Sequence, residues 1–212
     1  MNTIFLKYGQ DIIDKYNLIQ KRRICNVYFQ QWFRDLRTLF DTNYNTKEYI
    51  ESFCQTNLTT ILQSISAPLD YNIISKLKCS VVIRNAINTH YKIDWHMDDH
   101  IPHRHPLEME PQLHDLQIIG RDDKYVYSLW NSGIVPEYTI IIYFTSYGIH
   151  FHGGEFEFLN GTVIQPKCGD VVFFDSREIH RVRRLLSGIR QCIVVKLMLC
   201  KLSFEISVKH DE

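Results

Sequence analysis

The spacing of the apolar residues changes once along the chain, near Tyr71. Before that point apolar side chains recur every three or four residues, a repeat that is typical of amphipathic helices. This pattern predicts two helices between Phe5 and Leu39, and a third helix that is ended by Pro68. We therefore expect residues 1–75 to form an N-terminal helical region.

After Tyr71, short runs of β-branched and aromatic residues alternate with Gly, Asn, Asp and Pro, which is typical of strands separated by turns. The predicted strands are Cys79 to Arg84, His90 to Asp98, Tyr138 to Phe144, Glu155 to Leu159, Thr162 to Gln165, Asp170 to Phe174 and Ile189 to Leu199. Asn160-Gly161 lies between two of them and is the pair that a tight two-residue hairpin prefers. The order predicts an α+β, mainly β fold, a sandwich or barrel with helices packed on one outer face.

The segment from Asp99 to Pro136 matches neither repeat and contains His100, His103 and His105. A connection of that length inside a compact domain is usually functional. The three histidines could form a second metal site, but no cysteine or carboxylate lies at a useful spacing from them. This favours a solvated polar loop.

Composition limits the classes of function. The 24 basic and 24 acidic residues cancel, so the chain has no overall field that would hold nucleic acid. No uncharged apolar stretch approaches the roughly 20 residues of a membrane span. The first residues lack a cationic start and a small-residue cleavage site, and the six cysteines form no CxxC pair. These features predict a cytoplasmic or otherwise intracellular protein with reduced thiols and no membrane partner.

A metal-binding pattern lies at the end of the second predicted strand. The two-residue repeat places His96 and Asp98 on the same face, where an imidazole and a carboxylate can share one ion. Two histidines and one carboxylate leave three coordination positions open, as non-haem iron oxygenases require. His180, which follows the apolar strand that ends near Asp175, is the candidate for the second histidine.

Arg190 comes ten residues after His180. A 2-oxoglutarate molecule chelates iron through its keto oxygen and near carboxylate, so its far carboxylate needs a fixed cation. The planar fork of an arginine suits that carboxylate.

Together these features resemble the iron(II)/2-oxoglutarate dioxygenase superfamily, and most closely its prolyl-4-hydroxylase-like branch. The matching motifs are His96-Met97-Asp98, Tyr143-Phe144 ahead of Gly153-Gly154-Glu155-Phe156, Gly169-Asp170-Val171-Val172-Phe173-Phe174, and His180-Arg181-Val182 with Gly188-Ile189-Arg190. The likeness covers roughly Ser80 to Leu199. It implies a double-stranded β-helix, a jelly-roll or cupin-like barrel, over residues 76–212, with an insertion at about 99–136.

The resemblance also implies the roles of single residues. His96, Asp98 and His180 would be the iron(II) ligands and catalytic residues, and Arg190 would anchor 2-oxoglutarate. Tyr143 would add a hydrogen bond to the far carboxylate. The implied reaction uses dioxygen to decarboxylate 2-oxoglutarate to succinate and to hydroxylate a substrate, with ascorbate as a reductant.

Two classes of substrate remain open. The resemblance favours a protein or peptide side chain, with a prolyl residue first. The second class is a methylated nucleic-acid base, because AlkB-like demethylases have a second cation six residues after the anchoring arginine, where this chain has Lys196. The neutral overall charge favours the protein substrate.

Three further interpretations concern smaller motifs. His150-Phe151-His152 followed by Glu157 resembles the first metal motif of the cupins. Apart from these motifs, the fold could also persist as a binding module that has lost turnover. Cys192 stands where many dioxygenases have a hydroxyl residue. Arg181, Arg183 and Arg184 form either a solvated face or a rim that grips an acidic peptide or a phosphate.

Overall fold

Strands dominate the part of the chain that the structure describes. The structure is a computed structural model that describes residues 22–42, 47–87, 89–98, 101–106, 117–121, 125–130 and 136–199. The helices are α1 (Gln31–Asp41), α2 (Lys47–Thr56), α3 (Leu58–Ser64) and α4 (Tyr71–Ile74). The strands are β1 (Arg23–Asn26), β2 (Leu77–Ala86), β3 (Ile93–His96), β4 (Ile101–Pro106), β5 (Gln117–Arg121), β6 (Tyr125–Trp130), β7 (Pro136–Tyr143), β8 (Phe151–Gly153), β9 (Phe156–Phe158), β10 (Val163–Ile164), β11 (Asp170–Asp175), β12 (His180–Val182), β13 (Leu185–Gly188) and β14 (Arg190–Leu199).

The strands pair antiparallel in several sheets. A five-stranded sheet has the order β1-β11-β7-β14-β2, and a four-stranded sheet has the order β10-β9-β12-β3. Two smaller sheets have the orders β13-β8 and β4-β6-β5. The predicted mainly β class is therefore confirmed. Among the described residues, no helix is both long enough and apolar enough to cross a membrane.

Strand β14 illustrates how the five-stranded sheet serves two apolar clusters. Ile193, Val195 and Leu197 are buried in one cluster with side chains of α1, α2 and α3. Cys192, the residue directly before Ile193, belongs instead to a cluster that includes Phe156 of the four-stranded sheet. Because side chains alternate along a strand, the two faces of β14 contribute to two different apolar clusters.

The helical predictions are wrong in two places. The third predicted helix is interrupted at Asn57, whose side-chain amide donates to the carbonyl of Phe53 at 2.9 Å. A short polar side chain that bonds to the backbone in this way competes with a continuous helix. Residues Arg23–Asn26, which lie within the region expected to contain two helices, form β1 and pair with β11. Most of the first predicted helix lies outside the described residues.

The segment from Asp99 to Pro136 contains strands that the apolar repeat did not predict. β4, β5 and β6 form a three-stranded antiparallel sheet with β6 in the centre. Strands pair through backbone hydrogen bonds between segments, and the apolar repeat along one segment does not report that pairing. The side chains of His103 and His105, and all of His100, lie outside what the structure describes, so the second metal site stays untested.

The hairpin at Asn160-Gly161 is longer than predicted. Phe158 accepts from the backbone N–H of Gly161 and donates to the carbonyl of Thr162, each at 2.9 Å. The loop is therefore the three residues 159–161, with Gly161 at a positive φ of 87°. A type I turn followed by a left-handed residue is the usual geometry of a three-residue hairpin.

Candidate active site

Two neighbouring strands bring the predicted histidines together. His180 of β12 is the register partner of His96 of β3, and the ring centroids are 4.2 Å apart. Asp98 follows β3, where its backbone N–H donates to the carbonyl of Ser176 at 2.9 Å. The Nε2 atoms of both histidines lie 3.9 Å from a carboxylate oxygen of Asp98. Within the described ranges, these three form the only group of His, Cys, Asp and Glu side chains that could hold a metal ion.

The backbone determines how the two imidazoles are oriented. Nδ1 of His96 lies 2.8 Å from the carbonyl oxygen of Asp94, and Nδ1 of His180 lies 2.8 Å from that of Glu178. A carbonyl oxygen only accepts, so each Nδ1 carries the ring proton. Each Nε2 is left with its lone pair facing Asp98, which is the arrangement of a metal-binding histidine.

Burial keeps both imidazoles neutral. Burial and the neighbouring His96 lower the pKa of His180 to about 3. The pKa of His96 is also lowered, again mainly by burial. A neutral imidazole is the form that binds a metal, so neither ring has to lose a proton first at neutral pH.

Asp98 is held as a carboxylate by its surroundings. Burial alone would raise the pKa of Asp98. The nearby His180 and Lys196 lower that pKa by more than burial raises it, so the net pKa lies below its usual range. Thr139 donates its hydroxyl to Asp98 at 2.7 Å, and the Lys196 ammonium lies 3.4 Å from the other carboxylate oxygen. Thr139 was not predicted. Its only signal was a hydroxyl residue within the apolar run of β7.

A pocket of about 320 Å³ lies beside this group and is lined by His96 and Asp98. Its other lining residues are the apolar Val82, Ile93, Ile141, Phe156, Val182 and Val194, and the more polar Arg84, Tyr91, Asp94, Trp95, Arg190, Cys192 and Lys196. Apolar walls with a few polar groups are typical of a small-molecule site.

Arg190 is buried in this pocket with a solvent-exposed fraction of 1%. Its guanidinium donates to the Gly154 carbonyl at 3.0 Å, the Tyr143 hydroxyl at 3.1 Å and the Cys192 sulfur at 3.3 Å. No carboxylate of the described residues pairs with it. A buried cation without a counter-ion is unfavourable, so the site fits an anionic ligand.

The predicted Tyr143 lies next to Arg190, but a second tyrosine was missed. Tyr143 is fully buried and accepts from the guanidinium. Tyr91 lines the same pocket, and its buried hydroxyl has no hydrogen-bond partner among the described residues. Tyr91 lies in a predicted strand five residues before His96, where the sequence pattern did not separate it from a core tyrosine.

The cupin-like residues do not form a metal site in the described part of the chain. Glu157 accepts from Arg181 at 2.6 Å and from Arg183 at 2.8 Å, so two cations already engage its carboxylate. His150 uses Nδ1 to accept from the Ser146 backbone at 3.1 Å. The same contacts show that Arg181 and Arg183 are paired and are not free cations.

Comparison with known proteins gives matches among solved structures. No protein-family model matches the sequence, and no curated protein matches it. HygX from Streptomyces hygroscopicus, in a crystal structure with nickel and 2-oxoglutarate bound, matches with a TM-score of 0.52 at 11% identity over 91% of this chain and 86% of that one. The chain shares its fold with HygX.

Two prolyl hydroxylases also match, with lower TM-scores. The viral collagen prolyl hydroxylase vCPH from Paramecium Bursaria Chlorella virus-1 has a TM-score of 0.45 at 15% identity, over 95% of this chain and 92% of that one. A Pseudomonas putida prolyl-4-hydroxylase has a TM-score of 0.46 at 12% identity, over 92% and 95%. The assignment of the fold rests on HygX.

Proposed function

We propose that this chain is an iron(II)- and 2-oxoglutarate-dependent dioxygenase that hydroxylates a protein side chain, with a prolyl residue as the first candidate. The convergence of His96, Asp98 and His180 beside a pocket that contains the buried Arg190 carries this proposal. HygX, which shares the fold, has one crystal structure with nickel and 2-oxoglutarate bound and another with iron bound. That shared fold supports the same pair of ligands here.

The proposal also assigns the architecture. The five-stranded and four-stranded sheets would be the two halves of a double-stranded β-helix, because they share one apolar cluster. Helices α1, α2 and α3 contribute side chains to the cluster on the other face of the five-stranded sheet. The sheet of β4, β5 and β6 falls in the predicted insertion at 99–136.

In the mechanism, each residue of the site has a distinct task. His96, Asp98 and His180 would hold iron(II), which when bound supplies the redox chemistry that couples decarboxylation of 2-oxoglutarate by dioxygen to hydroxylation. The backbone carbonyls behind the two histidines fix their ring orientation. Thr139 orients one oxygen of Asp98.

The co-substrate would be positioned by charge and shape. Arg190 binds the far carboxylate of 2-oxoglutarate, and Tyr143 and the Gly154 carbonyl hold the guanidinium in place. The Tyr91 hydroxyl, buried and unpartnered in the described residues, is available to the same carboxylate. The apolar walls exclude water from the reacting groups.

Contacts around the pocket favour a protein substrate over a nucleic-acid base. Lys196, the residue that suggested an AlkB-like enzyme, is paired with Asp98. Arg181 and Arg183 are paired with Glu157, so they do not offer free charges to a phosphate backbone. The overall charge of zero agrees with this preference.

Binding of 2-oxoglutarate to the iron(II)-loaded protein without oxygen tests the proposal. The titration follows the visible charge-transfer band, and we expect saturable binding by the unaltered protein. Arg190→Gln should lower the affinity for 2-oxoglutarate by at least about thirtyfold, since it removes one partner of a buried charge pair. Arg190→Lys should be intermediate, because it keeps the charge but loses the fork.

Metal affinity serves as the control, and both variants should retain it. The assignment fails if the unaltered protein does not bind 2-oxoglutarate, or if Arg190→Gln binds it equally well. A peptide library and a methylated oligonucleotide pool, each followed by release of succinate, then separate the two classes of substrate.

A further inference from the structure

The polar groups that remain unpaired in the pocket are hydrogen-bond donors. Both acidic residues of its lining are engaged, since Asp94 lies 3.0 Å from Lys92 and Asp98 is bonded to Thr139. The Trp95 indole N–H, like the Tyr91 hydroxyl, is buried without a partner among the described residues. A lining of this kind favours ligands that carry acceptors or negative charge.

Arg84 is a cation in this pocket to which the proposed reaction gives no task. It lies on β2 opposite Cys192 of β14, and its exposed side chain lines the pocket. No carboxylate of the described residues forms an ion pair with Arg84.

The three cations of the lining therefore differ in what they can bind. Arg190 is buried and suits the far carboxylate of 2-oxoglutarate, and Lys196 is occupied by Asp98. Arg84 is solvent-exposed, so it can meet a group that enters from outside. An exposed arginine at the edge of an apolar pocket attracts and orients an anionic ligand.

We propose that Arg84 binds the carboxylate of an acidic residue that flanks the modified residue in a peptide substrate. This proposal rests on the proposed function and names the substrate class of the same pocket. A peptide is favoured over nucleic acid because Arg84 is the one exposed cation without an ion-pair partner among the described residues that line the pocket, whereas binding to nucleic acid usually depends on several phosphate contacts. Arg181 and Arg183 are paired with Glu157, so they add no free charge.

Two matched pools of proline-containing peptides test the proposal. One pool has Asp or Glu next to proline, and the other has Asn or Gln at the same positions. Binding is measured by fluorescence anisotropy on the full chain loaded with nickel(II) and 2-oxoglutarate. We expect the acidic pool to bind about tenfold tighter, which is the effect of one charge-assisted hydrogen bond.

Arg84→Gln should remove this preference, and Arg84→Lys should retain part of it. Lys78→Gln is the matched control, because Lys78 is an exposed cation of the same strand that does not line the pocket. Equal binding of the two pools, no binding of either, or a preference that survives in Arg84→Gln would overturn the proposal. So would an oligonucleotide that binds in an Arg84-dependent manner while the acidic peptides do not bind.

A parallel titration separates failure of this proposal from failure of the proposed function. The affinity for 2-oxoglutarate should be the same in Arg84→Gln and the unaltered protein. If that affinity falls, Arg84 serves the co-substrate and the peptide proposal is wrong. If neither protein binds 2-oxoglutarate, the proposed function fails. The two pools are then compared on the metal-free protein, and a preference for the acidic pool that is present in the unaltered protein and lost in Arg84→Gln would still support the role of Arg84.

Discussion

The side chains around Asp98 show how a candidate metal ligand is held in position. Thr139 is fully buried and places its hydroxyl 2.7 Å from Asp98 and 3.0 Å from the hydroxyl of Ser176. Lys196 approaches the opposite carboxylate oxygen. Partners that orient a ligand in this way commonly control metal affinity.

Replacement of Thr139 should therefore weaken the metal site. We expect Thr139→Val to lower the affinity for nickel(II) by about tenfold or more, because the carboxylate loses its orienting donor. Thr139→Ser should restore most of that affinity, since it keeps the hydroxyl. Calorimetric titration measures both. Equal affinity of the valine and serine variants would show that Thr139 only fills space.

Gly154 lies against the side chain of Arg190 and leaves room for it. Its φ is +67°, and an added Cβ would lie 3.1 Å from Cδ of Arg190. Gly154→Ala should lower the unfolding free energy by about 1 to 3 kcal/mol for the left-handed backbone. It should also lower the affinity for 2-oxoglutarate, because the added Cβ would force the Arg190 guanidinium to shift.

Gly148 provides the control for that prediction. Its φ is +77°, but no atom lies within 4 Å of an added Cβ. Gly148→Ala should therefore share the loss of stability seen in denaturant unfolding and keep the affinity for 2-oxoglutarate. If both variants lose the same affinity for 2-oxoglutarate, the contact of residue 154 with Arg190 is not the cause of that loss.

At the scale of elements, the position of β12 between β9 and β3 matters most for the site. Glu157 of β9 is the register partner of Arg181 of β12, and it accepts hydrogen bonds from Arg181 and Arg183. On the other side of β12, His180 is the partner of His96. An ion pair on one edge of β12 therefore supports a strand that carries a proposed metal ligand on the other.

This ion pair should make stability depend on pH. The hydrogen bond from Arg183 lowers the pKa of Glu157 to about 2, with Arg181 adding to it against the opposing effect of burial. The stabilisation is thus complete above the unfolded pKa of about 4.5 and is lost as the pH falls towards 2. Glu157→Gln should be less stable at pH 7, and the difference should shrink below pH 4.

Urea unfolding at several pH values measures this effect. We expect a loss of about 1 kcal/mol at pH 7, in the range of partly exposed ion pairs. Glu48→Gln, which changes an exposed carboxylate on α2, should show no such pH-dependent difference. A loss for Glu157→Gln that stays constant down to pH 2 would mean that the charge is not responsible.

At the scale of the whole molecule, the candidate centre joins distant parts of the chain. His96 and His180 are 84 positions apart, and a bound ion would connect β3, β12 and the segment after β3. An ion that binds only the folded state stabilises it according to its affinity.

Added metal should therefore stabilise the protein. Nickel(II) at 100 times its dissociation constant should raise the unfolding free energy by about 2.7 kcal/mol. His180→Ala should abolish the increase, and His152→Ala, which changes an exposed histidine outside the centre, should keep it. Thermal unfolding with and without metal gives the comparison. A similar increase in His180→Ala would place the ion elsewhere.

The sequence by itself determined features that depend on near neighbours. The described helices between Gln31 and Ser64 and the mainly β character after Leu77 follow from the spacing of apolar residues. The placement of His96 and Asp98 on one face follows from the two-residue repeat of a strand. His180 and Arg190 were singled out by what iron and 2-oxoglutarate chemistry requires, and their roles at that site were implied by a resemblance of motifs, which carries information about distant contacts that periodicity lacks.

Only the tertiary structure decided which groups meet across the sheets. Segment 23–26 forms a strand because β11 provides backbone hydrogen-bond partners for it. Arg181 and Arg183 are paired with Glu157 and are therefore not free cations. Thr139 and Lys196 reached Asp98 from strands about 40 and 100 positions further along the chain. Hydrogen-bonded registers between remote strands set these contacts, and a local repeat contains no record of its partner strand.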